Sequence, residues 1–227
     1  MIKVEQKDYL EPQGRVNKFN KENIVQWNNE HHDDLVNKLK AGIQVLNEAG
    51  IKNWWIDCGT LLGCYRNGKF IPHDIDIDFA YDDRKHTKPL EEAIKKNPNW
   101  ECYSDYQEKD DTISQIIKTM DSFPLDNPEL GQNEVSILNR AGNFSDFYTY
   151  HEENENYVHE FNYPDKTKNY TYCIPKEYIF PLKTMTLEGV EVQVPGNSEK
   201  YLESIYGYLG KDYYFCQKTM KYRKIGT

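Results

Sequence analysis

Three aspartates alternate with two isoleucines in Asp74-Ile75-Asp76-Ile77-Asp78, and Phe79 follows. A period of two belongs to a β-strand, whose successive side chains point to opposite faces. The pattern predicts a strand over 73–79 with three carboxylates on one face, about 6.5 to 7 Å apart at Cα for neighbours on that face. Its other face, Ile75, Ile77 and Phe79, would turn to a core. Like charges packed together repel, and such a cluster costs stability unless a cation neutralises it. Mg²⁺ and Mn²⁺ are the natural partners, because hard divalent ions take carboxylate oxygen and keep positions open for phosphate. The competing reading is a solvated edge strand, against which the strongly apolar second face counts.

Upstream, Trp54-Trp55-Ile56-Asp57-Cys58 reads as a short strand feeding a turn at Gly59. Thr60 to Arg66 then fits one or two helical turns, ended by Asn67-Gly68. Gly59 allows close backbone approach, a helix N-terminus offers N–H groups to an anion, and Thr60 adds a hydroxyl donor. Arg66 adds a planar fork for a phosphate oxygen. A plain strand-to-helix connection explains this segment equally well by itself. Followed closely by a carboxylate strand, it reads as a phosphate cradle beside a metal site.

Elsewhere, apolar residues at helical spacing between Lys21 and Ala49 predict one or two helices closed by Gly50. Thr87 to Lys96 is a predicted helix with Pro98 beyond its end. Residues 100 to 150 look strand-rich, notably 134–138 and 144–148. Leu182 to Leu187 and Val190 to Val194, joined at Glu188-Gly189, form a predicted β-hairpin. Asn197 or Ser198 caps a final helix through Tyr206, stopped by Gly207. The sum is α+β, a mixed sheet flanked by helices. With no repeat or linker in view, the expectation is one domain over 1–227, its first twenty or so residues an extended arm.

Charge excludes one class of partner. The 37 acidic residues outnumber the 28 basic ones, giving a net charge of −9, whereas nucleic-acid binders draw affinity from a basic excess. No stretch approaches the roughly 20 apolar residues of a membrane span, and the N-terminus has no apolar signal region, so a cytoplasmic location is expected. Five cysteines, Cys58, Cys64, Cys102, Cys173 and Cys216, lack any CxxC pair and suit a reducing compartment better than zinc. The sequons at Asn143 and Asn169 are then chance. Cys58 and Cys64 read as buried small hydrophobes, His31-His32-Asp33-Asp34 as a solvated face, and the tyrosines from Tyr148 to Tyr178 as packing residues. Lys183 and Lys211 are either diphosphate contacts or surface lysines.

The residues from Cys58 through Gly63, with Arg66, Gly68 and Ile71-Pro72-His73-Asp74-Ile75-Asp76-Ile77-Asp78, resemble the signature of the LicD family. That family includes bacterial phosphocholine transferases, fukutin and fukutin-related proteins. The likeness continues through Phe144-Ser145-Asp146-Phe147-Tyr148, similar to the family's strand carrying a third carboxylate, and into blocks at 174–182 and 194–207. His73 stands where family members often have Trp; packing beside the site is its expected role.

The resemblance implies a polymerase-β-like nucleotidyltransferase fold and a metal-dependent phosphotransferase. Such an enzyme passes phosphocholine, or ribitol or glycerol phosphate, from a CDP-linked donor to a glycan or glycolipid acceptor and releases CMP. On this reading Asp76 and Asp78 bind Mg²⁺ or Mn²⁺, and Asp146 completes the site or accepts the acceptor's proton. Gly59, Thr60 and Arg66 hold donor phosphates, and Asp74 supports the ligands or substitutes for one. Two alternatives share the residues: a nucleotidyltransferase moving NMP from an NTP to a small molecule, and an inactive glycan- or nucleotide-binding module.

Overall fold

A computed structural model describes residues 25, 28–72, 74, 76–104, 112–117, 144–162, 169–210, 212–216 and 221–226. The N-terminal arm, the strand expected at 134–138, His73, Lys211 and the Asn143 sequon lie outside them. Helix α1 is His32–Glu48, with residues 28–30 also helical before it. Then follow β1 (Trp54–Ile56), α2 (Cys58–Asn67), β2 (Ile77–Asp82), α3 (Thr87–Lys96), β3 (Trp100–Ser104) and β4 (Thr112–Ile117). The remainder is β5 (Phe144–Glu153), β6 (Asn156–Asn162), β7 (Asn169–Pro175), α4 (Lys176–Ile179), β8 (Lys183–Leu187), β9 (Val190–Val194), α5 (Ser198–Tyr206), β10 (Tyr213–Cys216) and β11 (Lys221–Lys224).

Seven strands form one sheet, in the order β1-β2-β5-β4-β3, with β6 continuing from the far end of β5 and β7 beside β6. The β2–β5 pair is parallel and its neighbours are antiparallel, so the sheet is mixed as expected. A parallel pair needs a long crossover, and the chain between β2 and β5 supplies it with α3, β3 and β4. Phe79 and Phe147 are register partners and stack at 5.1 Å, with Trp54 edge-on to Phe79. On the opposite face Trp55 packs against Tyr150 and Tyr201. Both faces are therefore covered, which is why β1 is buried at every residue. Helix α1 packs on β2, β5 and α3, while α2 packs on β2, β8 and α5.

Local signals are obeyed closely where they are strong. Helix α3 spans Thr87–Lys96, and α5 starts at an Asn197 cap whose side chain accepts from the Lys200 N–H at 3.2 Å. Glu188 and Gly189 both have positive φ, the backbone that a tight two-residue hairpin requires. One expectation is corrected. Strand β2 begins at Ile77, so Asp74 and Asp76 stand in the loop before it and only Asp78 lies in the strand. The Asn28 amide pins that loop by donating to the carbonyls of Pro72 and Asp74, at 3.0 and 2.6 Å. The carboxylates thus converge by a turn of the chain, not along one strand face.

Candidate active site

The parallel register sets Asp146 of β5 directly beside Asp78 of β2. Asp76, one residue before the strand, leans in from the loop. Each of the three carboxylates offers an oxygen within 4.8 Å of the others, a grouping that could hold a metal ion. Asp78 is buried, and Asp76 and Asp146 are partly so. Burial first, then the charges of Asp76, Asp74 and Asp146, push the Asp78 carboxyl well above the usual range. A divalent cation would offset both causes, since it neutralises the repulsion and repays the lost solvation.

Tyr148, two residues along β5 from Asp146, donates its buried hydroxyl to Asp78 Oδ1 at 3.1 Å. Burial and the adjacent carboxylates hold this phenol well above its ordinary pKa, so it remains a donor. It fixes the most buried of the three carboxylates.

Helix α2 starts against the same carboxylates. Asp57 caps it: Oδ1 accepts from the Cys58 N–H at 2.7 Å and from the Tyr201 hydroxyl at 2.8 Å, and Oδ2 from Tyr150 at 3.1 Å. The Asp57 N–H donates to the Asp78 carbonyl at 2.9 Å, tying the cap to β2. Fully enclosed, Asp57 is pushed up to about 6 by burial, against the lowering pull of its three donors. A side chain at Gly59 would meet the Asp74 carboxylate, so glycine is what lets that group lie over the first turn of α2. Cys58 is surrounded by carboxylates, and burial raises its thiol far above the range of a reactive cysteine.

Thr60 is buried, and its hydroxyl accepts from the Asp78 N–H at 2.9 Å. Thr60→Val is therefore expected to leave a buried N–H unsatisfied and cost about 1–3 kcal/mol, with Thr60→Ser close to wild type. Denaturant midpoints check this; an unchanged Thr60→Val midpoint would remove the hydroxyl from the frame of the site. Arg66 is exposed and stands six residues beyond Thr60, about 9 Å along the helix axis. The structure thus joins Asp76, Asp78 and Asp146, sets Gly59 and Thr60 at the helix start beside them, and holds Arg66 at the far end. Lys183 is exposed on the β8–β9 hairpin.

Sequence reasoning passed over three contributors. Asp57 was legible only as the residue before the glycine turn, and the hydroxyls of Tyr150 and Tyr201 that enclose it come from distant elements. Tyr148 sat in plain view beside Asp146, but its bond to Asp78 depends on the register. Lys38 lies in the buried stripe of α1 with Leu35, Leu39, Gly42, Val45 and Leu46. Burial pulls its ammonium down to about 8 against the raising charges of Asp34 and Asp76. A lysine inside an apolar helical stripe was the signal.

The sequence profile described as "LicD/FKTN/FKRP, nucleotidyltransferase domain" matches residues 51–197, the span from just before β1 to the cap of α5. Among curated proteins, no sequence matches the chain. A solved structure of the lincosamide antibiotic adenylyltransferase LnuA, lincomycin-bound, aligns at a TM-score of 0.44 and 10% identity, over 73% of this chain and 83% of that chain.

Proposed function

Because the chain belongs to the LicD/FKTN/FKRP nucleotidyltransferase-domain family, we propose that it is a metal-dependent phosphotransferase acting on a CDP-activated donor. The group transferred is phosphocholine, or ribitol or glycerol phosphate, and the acceptor is a glycan or glycolipid hydroxyl. The observation that carries this reading is the convergence of Asp76, Asp78 and Asp146 within 4.8 Å beside the N-terminus of α2.

In the reaction, the acceptor oxygen attacks the distal phosphorus of the donor, the bond from that phosphorus to the bridging oxygen breaks, and CMP leaves. The acceptor's proton passes to a carboxylate, with Asp146 the candidate because it is partly open to the site. Asp76 and Asp78 would hold Mg²⁺ or Mn²⁺, with Asp146 their third ligand wherever it is not the group that takes the proton. When bound, such an ion supplies charge neutralisation at the diphosphate and at the departing phosphate. Tyr148 keeps Asp78 aimed through its hydrogen bond. The α2 N-terminus, opened by Gly59 and braced by Thr60, offers backbone N–H groups to the donor phosphates. Arg66, in the last turn of α2, would serve those phosphates by extending back along the helix, the direction long helical side chains take.

The test is incubation of the protein and Mg²⁺ with CDP-choline, CDP-ribitol, CDP-glycerol or each NTP, with a panel of glycan acceptors, read by mass spectrometry. CMP together with a phospho-alcohol-modified acceptor is the expected outcome for one CDP donor. Pyrophosphate released from an NTP, with no CMP from any CDP donor, would overturn the proposal in favour of nucleotidyl transfer.

A further inference from the structure

Two buried carboxylates organise the site, and each is aimed by a tyrosine of β5. Tyr148 donates to Asp78 Oδ1 and Tyr150 to Asp57 Oδ2, both at 3.1 Å. Both tyrosines pack against one residue of β6, His159, which is 1% exposed. Its ring centroid lies 5.3 Å from that of Tyr148, edge-on at 62°, and 5.2 Å from that of Tyr150, tilted at 36°. Such separations belong to attractive aromatic pairs. The imidazole Nδ1 stands 2.9 Å from the carbonyl oxygen of Thr149, the residue between the two tyrosines. A carbonyl only accepts, so Nδ1 carries the proton and ties the ring to the β5 backbone midway between the phenols. Strand β4 pairs with β5 as far as Tyr148 and β6 from His151 onward, so this bond acts where neither of those ladders reaches.

A side chain that only filled this space would be better as phenylalanine or leucine, because burying ring nitrogens costs free energy. What histidine adds is a ring whose orientation is set by a hydrogen bond. We propose that His159 is a positioning residue of the acidic site: anchored to the Thr149 carbonyl, its ring wedges Tyr148 and Tyr150 so that their hydroxyls stay on Asp78 and Asp57. The inference rests on Asp78 being a metal ligand. Groups that hydrogen-bond to metal ligands orient them and tune the metal's affinity. Tyr148 is that group for Asp78, and His159 acts through Tyr148. A phenyl ring at 159 would keep the packing and lose the tether, leaving both phenols freer to tilt.

The experiment uses the full chain as wild type, His159→Phe, Tyr148→Phe and the double variant, with Mn²⁺ as the probe. Mn²⁺ affinity is measured by calorimetry and by loss of the free-ion EPR signal. Tyr148→Phe is expected to weaken binding about tenfold and His159→Phe about threefold or more, with the double variant no weaker than Tyr148→Phe alone. Tyr148→Phe removes a hydroxyl and leaves the ring, so contact between the rings survives it. A histidine that merely packs would therefore lower the melting temperature and leave the Mn²⁺ affinity of the folded protein unchanged. The second readout is the urea midpoint of the same four proteins in EDTA. His159→Phe should cost less in the Tyr148→Phe background than in wild type, because there is no Tyr148 hydroxyl left to misplace.

A folded His159→Phe with wild-type Mn²⁺ affinity, an equal further weakening on top of Tyr148→Phe, or additive midpoints in EDTA would overturn the proposal. Should His159→Phe fail to fold, His159→Asn, which keeps an N–H for the Thr149 carbonyl and removes the ring, enters the same cycle with the same expected outcomes. Failure of both to fold would show that the histidine serves the core alone. Wild type that binds no Mn²⁺ would strike the metal site itself, whereas the midpoints in EDTA read the coupling of His159 to the Tyr148 hydroxyl independently of metal.

Discussion

Asp78→Asn is expected to lower turnover by at least about three orders of magnitude while leaving the metal-free fold as stable as wild type or more so. The two effects separate because they have different causes. Asparagine keeps the size of the side chain and an oxygen that can accept the Tyr148 hydroxyl, so the packing between β2 and β5 survives. What is lost is a buried negative charge, and in the apo protein that charge is unfavourable: burial and the carboxylates of Asp76, Asp74 and Asp146 all act against it. Only with a metal ion in place does the charge become an asset. Steady-state turnover at saturating Mg²⁺ and thermal melts in EDTA check the pair of outcomes. Activity within tenfold of wild type would remove Asp78 from the metal site; a large drop in the EDTA melt would mean that the carboxylate is structural.

A second large effect concerns pH and runs through Asp57. Its carboxyl is raised from 3.8 to about 6 in the folded protein, with burial the leading cause. A group whose folded pKa is raised contributes stability that is present in full below the unfolded pKa and is lost as pH climbs through the folded pKa. The shift corresponds to about 3 kcal/mol, lost as the pH rises from about 4 to about 6. Other carboxylates titrate in the same window, so the measurement is the difference between wild type and Asp57→Asn in EDTA, by urea unfolding at half-unit steps. Relative to wild type, Asp57→Asn should gain stability as pH rises from 4 to 6 and hold a constant difference above it. A difference that is flat from 4 to 6 would mean that Tyr150, Tyr201 and the Cys58 N–H stabilise the carboxylate enough to cancel its burial.

Asp57 also links the cap of α2 to the wider frame. The Tyr201 hydroxyl that donates to it also accepts from Trp55 Nε1 at 2.9 Å, so β1, α2, β5 and α5 meet at one carboxylate. Through the Asp57 N–H and the Thr60 hydroxyl this frame grips the backbone of Asp78 on both sides. The main chain of Asp78 is therefore held by the same helix turn that would face the donor phosphates. Such rigidity suits a site that must hold charged groups in fixed geometry before substrate arrives.

The sequence by itself determined the elements whose causes are local. Thr87–Lys96, the hairpin turning at Glu188-Gly189 and the helix capped by Asn197 each carry their boundary signals within a few residues, and the structure places them where those signals stand. It also determined which side chains could carry the chemistry, because a cluster of aspartates after a glycine turn is written in the chain whatever its final shape. Tertiary structure alone decided how they meet. The alternation before Asp78 suggested one strand face, yet Asn28 holds Asp74 in a loop and strand pairing starts at Ile77. Asp146 comes to the site because β5 pairs parallel to β2 in one particular register, and a shift of one residue would turn its carboxylate to the Phe147 face. The charges of Lys38 and Asp57 were visible as letters, but not their burial. Burial and pairing depend on elements far apart in the chain, and no short window of sequence contains both partners of such a contact.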